Sequence, residues 1–168
     1  MNRNMYNLAC FLLVAGLIGL LGCNQGLSPE AAGPSITGIS GTIYFKNWPP
    51  ADSLFDLRLV VFKTFPPENI VEAVVNQEAF AYPPITQKEG LPLNVQQTDY
   101  LMELPPGRYE YIVVAWQYGP NVFSDWRAAG QYDTDEDPNP TAVDIQEGEL
   151  LTNIDIDVDF ENLPPSPF

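Results

Sequence analysis

Five Pro-Pro pairs, at 49–50, 66–67, 83–84, 105–106 and 164–165, cut the chain into short pieces. Proline lacks a backbone donor and its ring clashes with the preceding helical turn, so neither a helix interior nor a central strand runs through these points. Each pair follows Trp, Phe, Tyr or Leu and so marks the end of an apolar run. Only the last, from Pro164 to Pro167, reaches the PxxP spacing that polyproline-binding modules dock, and the pairs are read as strand ends and loops.

Between the prolines the chain reads as strands. ITGISGTIYFK (36–46), LRLVVFKTF (57–65) and RYEYIVVAWQY (108–118) are rich in β-branched and aromatic residues. At 154–160, Ile154, Ile156, Val158 and Phe160 alternate with Asp155, Asp157 and Asp159, which gives one buried and one wet face. Aspartates two residues apart stand about 7 Å from each other, too far for neighbours to chelate one ion unaided. Their expected role is to guard an exposed strand against pairing with another molecule. Weaker strands are IVEAVV (70–75), AFAY (79–82), DYLMEL (99–104), AAGQYD (128–133) and TAVDI (141–145). The best helix candidate is Glu68 to Phe80; its Val and Ile content argues for strand, with a short helix as the alternative. The expected fold is all-β, a single antiparallel β-sandwich over 36–162, with 163–168 as a C-terminal tail.

The N-terminus differs in kind. Arg3 precedes LACFLLVAGLIGLL (8–21), an uncharged run too short to span a bilayer comfortably, which reads as a removable export signal. It ends in Leu20, Leu21, Gly22 and Cys23. This segment resembles the lipobox of bacterial lipoproteins. The resemblance implies a signal peptide over 1–22, cleavage between Gly22 and Cys23, a diacylglycerol thioether on Cys23 and a further acyl chain, such as palmitate, on its new amine. One acyl chain binds membranes marginally, whereas several anchor a soluble domain stably. Residues 23–35, rich in Gly, Pro, Ser and Ala, then form a lipidated flexible tether. Asn24 is not the Asp that retains enterobacterial lipoproteins at the inner membrane, so the resemblance favours the outer membrane of the cell envelope, facing the periplasm or the cell surface. With Cys10 removed and Cys23 modified, no thiol remains for a disulfide, and the domain depends on its core.

Loss of residues 1–22 leaves 168 − 22 = 146 residues, enough for one domain with a real core. It also removes Arg3 from the 7 basic residues and none of the 22 acidic ones, so the mature charge is 6 − 22 = −16. After Arg127 come 11 acids and no base. Nucleic acid is excluded as a partner by this balance, because phosphate binding needs clustered Lys and Arg. An acidic surface suits a tethered domain that must stay soluble and clear of anionic headgroups.

The stretch ELPPGRYEY (103–111) is expected to place Pro106 and Gly107 at the centre of a type II turn. DYLMELPPGRYEYIVVAW resembles the strand, Leu-x-Pro-Gly-x-Tyr, strand signature of transthyretin-like and carboxypeptidase-regulatory-like β-sandwich domains. GTIYF (41–45) and LRLVVFK resemble their first two strands. About thirty residues, with two Pro-Pro pairs, separate the second strand from DYLMEL, more than those families use, and the loop YGPNVFSDWR (118–127) is also long. An immunoglobulin-like topology therefore stays open, although the Cys and Trp pattern of true immunoglobulin domains is absent.

The chain contains no histidine, which removes His triads, His-ligated zinc and imidazole proton shuttles. Neither Ser-x-x-Lys nor Gly-x-Ser-x-Gly occurs. A carboxylate pair for glycoside hydrolysis is the remaining catalytic option, and the expectation is a protein that is not an enzyme. YDTDEDPNPTAVDI sets Asp133, Asp135, Asp137 and Asp144 at calcium-like spacing, yet Pro138 stands where an EF-hand loop needs Gly, and Asp144 replaces the bidentate Glu. A Ca2+ loop and a solvated acidic turn are the two readings, the second preferred. Trp48, Tyr118, Phe123 and Trp126 are expected in loops, as a ligand surface for a sugar ring or peptide or as packing beneath the loops; Trp116 is expected in the core. The function expected is a lipid-anchored envelope protein whose domain contacts envelope proteins, with glycan or peptide binding as the alternative.

Overall fold

A computed structural model describes residues 35–168, apart from 136 and 138. The lipobox residues Gly22 and Cys23, and the tether up to residue 34, lie outside the described residues. Among those described, no helix is long and apolar enough to cross a membrane.

The fold is all-β and sandwich-like. Among the described residues, ten strands form in chain order: β1 (Gly38–Lys46), β2 (Asp56–Phe62), β3 (Ala79–Tyr82), β4 (Gln97–Glu103) and β5 (Gly107–Tyr109), then β6 (Tyr111–Gln117), β7 (Trp126–Gln131), β8 (Val143–Ile145), β9 (Leu150–Leu151) and β10 (Ile156–Asp159). One sheet has the order β10-β1-β4, with β9 also on β1; the other is β3-β2-β6-β7; β5 and β8 pair separately. Pairing is antiparallel except along one side of β1, where β9 and β10 run parallel to it.

The alternation at the end of the chain is what seats β10. Ile154, Ile156, Val158 and Phe160 are buried while Asp155 and Asp157 are exposed. Their apolar row meets Ile39, Ile43 and Phe45 of β1, Leu57, Leu59 and Val61 of β2, and Ile112, Val114 and Trp116 of β6 in the main core. Strands β7 and β10 approach so closely that a Cβ on Gly130 would lie 2.4 Å from the Asp157 carbonyl oxygen. Glycine there permits the two sheets to close along that side.

β2 and β6 do not alternate because both their faces are buried, as continuous apolar strands require. Val60, Phe62, Tyr111, Val113, Ala115 and Ala128 form a second cluster on the outer face of the sheet, away from the main core.

That second face explains a departure from the expected strands. IVEAVV is a helix, α1 (Ile70–Val75), and only AFAY continues as strand. Asn69 caps it, its Oδ1 accepting from the amides of Val71 at 2.9 Å and Glu72 at 3.0 Å. The cap satisfies orphan donors of the first turn, and burial of Ile70 on the outer face overrides the weak helix propensity of Val and Ile.

The Pro106-Gly107 turn also takes another form. Gly107 has φ 159°, far from the value near +80° of a type II turn, and opens β5. The motif is held through its tyrosine instead: buried Tyr109 donates from Oη to the Pro105 carbonyl at 2.8 Å, a corner that ties a strand back to the chain entering it.

Candidate functional site

The four aromatic residues marked in the sequence separate onto two faces. Trp48 is half-buried between Phe45 and Phe160, with ring centroids 4.9 and 4.8 Å away, and its Nε1 donates to the Val95 carbonyl at 2.8 Å. Trp116 joins this group edge-on to Phe160 at 5.3 Å and is buried, as expected. Tyr118 leans edge-on against Trp116 at 6.2 Å and is exposed. Trp48 thus packs under a loop, and Tyr118 extends the same aromatic group to the surface.

Trp126 belongs to the other face, and Phe123 stands in the loop that leads to it. Their loop is closed by local hydrogen bonds: Asn121 donates its amide to Asp125 Oδ2 at 2.9 Å, Phe123 donates its amide to Asn121 Oδ1 at 3.0 Å, and Tyr118 donates its amide to the Asp125 carbonyl at 2.9 Å. The Trp126 indole packs with the outer-face cluster and donates from Nε1 to the Val122 carbonyl at 2.7 Å. The loop is therefore ordered while Phe123 stays 71 % exposed, more than any other large apolar side chain described.

Beside this loop lies a cleft of about 180 Å3 between α1 and the sheet. Its floor is Val60 and Ala81, α1 supplies Ile70, Val71 and Val74, and Ile85, Val122 and Trp126 complete the rim. Asp56 and Arg58 stand at one end.

Arg58 is 5 % exposed and fully engaged. Its Nε donates to Asp56 Oδ2 at 2.6 Å, its Nη1 to the carbonyls of Pro83 and Pro84 at 2.7 and 3.0 Å, and its Nη2 to the Gln87 carbonyl at 3.0 Å. The planar guanidinium matches this fan of acceptors and pins the loop after β3, which carries Ile85. The role of Arg58 in the cleft is structural, a charge fixed behind an apolar surface.

Nothing in the sequence patterns singled out Arg58, Ile85 or the helical Val71 and Val74. The available signal was the unbroken apolar run around Arg58 in LRLVVF, since a strand buried on both faces must find a partner for any charge it carries.

The acidic residues are dispersed. Asp133, Asp135 and Asp137 each accept an amide hydrogen two residues on, at 3.5 Å from Asp135, 3.0 Å from Asp137 and 2.6 Å from Asn139. Asp144 turns away on β8 and pairs with Arg108 Nη1 at 2.8 Å. Among the described residues, no three acidic or cysteine side chains gather as a metal-holding group. On β10, Asp155 Oδ1 accepts the Thr42 amide at 2.7 Å. Asp159 Oδ1 accepts from Asn47 Nδ2 at 2.8 Å and from the Glu161 amide, and these bonds lower its pKa.

Three buried tyrosines, Tyr100, Tyr109 and Tyr111, are shifted the other way, Tyr109 by burial. Burial, with the nearby Asp155 carboxylate adding to it, raises Tyr100, whose Oη donates to the Ile154 carbonyl at 2.6 Å. Burial alone raises Tyr111.

Comparison with protein-family models, curated proteins and solved structures returns no match.

Proposed function

We propose that this is a lipid-anchored cell-envelope protein whose β domain acts by binding an envelope protein, without catalysis of its own. The observation that carries the binding part is the ordered loop that holds Phe123 in water beside an apolar cleft. An exposed aromatic side chain fixed in advance loses little freedom on association, which is how a few anchors come to dominate an interface. The cleft offers apolar surface and no convergent set of reactive groups, and a chain without histidine has few routes to acid-base chemistry at neutral pH.

The anchor is supported by the lipobox-like LLGC at 20–23 and the flexible composition that follows it. Mass spectrometry of the protein from its native membrane tests this part. The expected N-terminal residue is Cys23 carrying acyl mass; an unmodified Cys23, or a chain still beginning at Met1, rules the anchor out.

Glycan binding is a second reading, favoured by the exposed rings of Tyr118 and Phe123. Titration with a panel of envelope glycans separates the two. Saturable binding lost in Phe123→Ala supports the glycan; no binding to any glycan leaves the protein partner.

A further inference from the structure

The segment Pro164 to Phe168 lies on the outer face just described. Phe168 packs against the second cluster, its ring 6.0 Å from that of Phe62 and inclined by 30°. Ser166 Oγ accepts the amide hydrogen of Ala128 at 3.2 Å, and its hydroxyl donates to the Phe168 carbonyl at 3.1 Å. Ala128 is in β7, the last strand of its sheet, so this hydroxyl stands where the carbonyl of an added strand would otherwise pair.

Three of these five residues are proline. They have no amide hydrogen to give, so the segment covers the edge without extending the sheet. Leu163 before it packs against the main core. Among the described residues, the segment beyond Leu163 is tied to the strands by one side-chain hydrogen bond, from the Ala128 amide, and by the packing of Phe168, with Pro164 and Pro167 half-buried. The cluster under Phe168 continues through Val60 and Ile70 into the open cleft at Trp126, which the segment leaves unfilled.

We infer that this face is a docking groove for an extended, aromatic-bearing segment of an envelope protein, and that Pro164–Phe168 is its resident competitor. A partner segment that keeps its amide hydrogens adds ladder bonds along β7 that prolines cannot make. If longer than five residues, it also reaches from the Phe62 end into the cleft. The resident segment has no charged side chain, whereas the mature chain carries −16 in side-chain charge, so basic residues flanking the partner's aromatic favour it over the resident. The inference rests on the reading that the domain acts by binding.

The test uses the octapeptide of residues 161–168 as probe, titrated calorimetrically into the compact unit from Pro34, ending at either Phe168 or Leu163. Saturable binding to the shortened form, at least tenfold weaker to the intact one, is expected. Hydrogen exchange at the Ala128 amide should quicken at least tenfold on shortening and slow again when peptide is added. A folded shortened form that takes no peptide overturns the inference. So does a shortened form that does not fold, because the segment would then be part of the core. Phe168→Ala in the intact chain gives an independent reading: faster exchange at Ala128 with Val113 unchanged supports displacement, and equal acceleration at both overturns it. A groove that takes the peptide while Phe123 contacts no envelope protein keeps this inference and removes the functional reading beneath it.

Discussion

The indole of Trp126 donates to the carbonyl of Val122 at 2.7 Å, and this bond sets Phe123 on the outside of a closed loop. The two aromatic residues therefore respond differently to truncation. Phe123→Ala removes a side chain already in water, so the midpoint of thermal unfolding should stay within about 1 °C, in keeping with the small effects of surface changes. Trp126→Ala strips the second cluster of a half-buried indole and should cost about 2 kcal/mol. Parallel melts of the two variants check the contrast.

Arg58 supports the cleft from behind. Arg58→Leu leaves the carbonyls of Pro83, Pro84 and Gln87 and the Asp56 carboxylate without their donor, at a cost of about 3 kcal/mol in denaturant unfolding. Arg58→Lys should recover only a minor part, because a single ammonium cannot span four acceptors. Full recovery with lysine would show that charge alone is needed.

Gly130 permits the close approach of β7 and β10. In Gly130→Ala the new Cβ meets the Asp157 carbonyl oxygen at 2.4 Å and Val158 Cγ2 at 2.8 Å, so the strands must separate. The expected loss is about 1–3 kcal/mol, read from the urea midpoint. An unchanged midpoint would mean that β10 is free to shift.

The buried tyrosines set an alkaline limit. The folded pKa values of Tyr100 and Tyr111 lie above their ordinary 10.0. The stability they contribute is present in full below pH 10 and is lost as pH rises from there toward the folded values. Denaturant midpoints measured from pH 8 to 11 should fall above pH 10, less steeply in Tyr100→Phe. Asp159 behaves oppositely: its folded pKa lies below 3.8, so its contribution is present above that value and lost as pH drops through the lower folded one.

Legibility in the sequence followed how local the cause was. The strand at 154–160 was readable because Ile156 and Val158 face one core and Asp155 and Asp157 face water, a pattern of period two. Exposed Phe123 was also readable, since a long aromatic loop between strands needs only composition to be noticed. The parallel run of β10 beside β1 was not, because register between segments over a hundred residues apart leaves no local trace. Helix α1 formed where β-branched residues suggested strand, because Asn69 caps it and Ile70 is buried on a face that exists only once β2 and β6 have paired. Trp48 was legible as a loop aromatic, whereas Trp126, expected in the loop, opens β7, and which face each would reach depended on Phe160 and Val60, distant in sequence.

The central claim is that Phe123 and the cleft beside it meet an envelope protein. A photo-cross-linking amino acid at position 123, in cells that make the protein, tests it most directly, with position 161, an exposed residue after β10, as control. The account predicts one discrete adduct with an envelope protein at 123 and none at 161, lost when Ile85→Glu places a charge on the rim of the cleft. An adduct pattern identical at both positions, or one that survives Ile85→Glu, would contradict it.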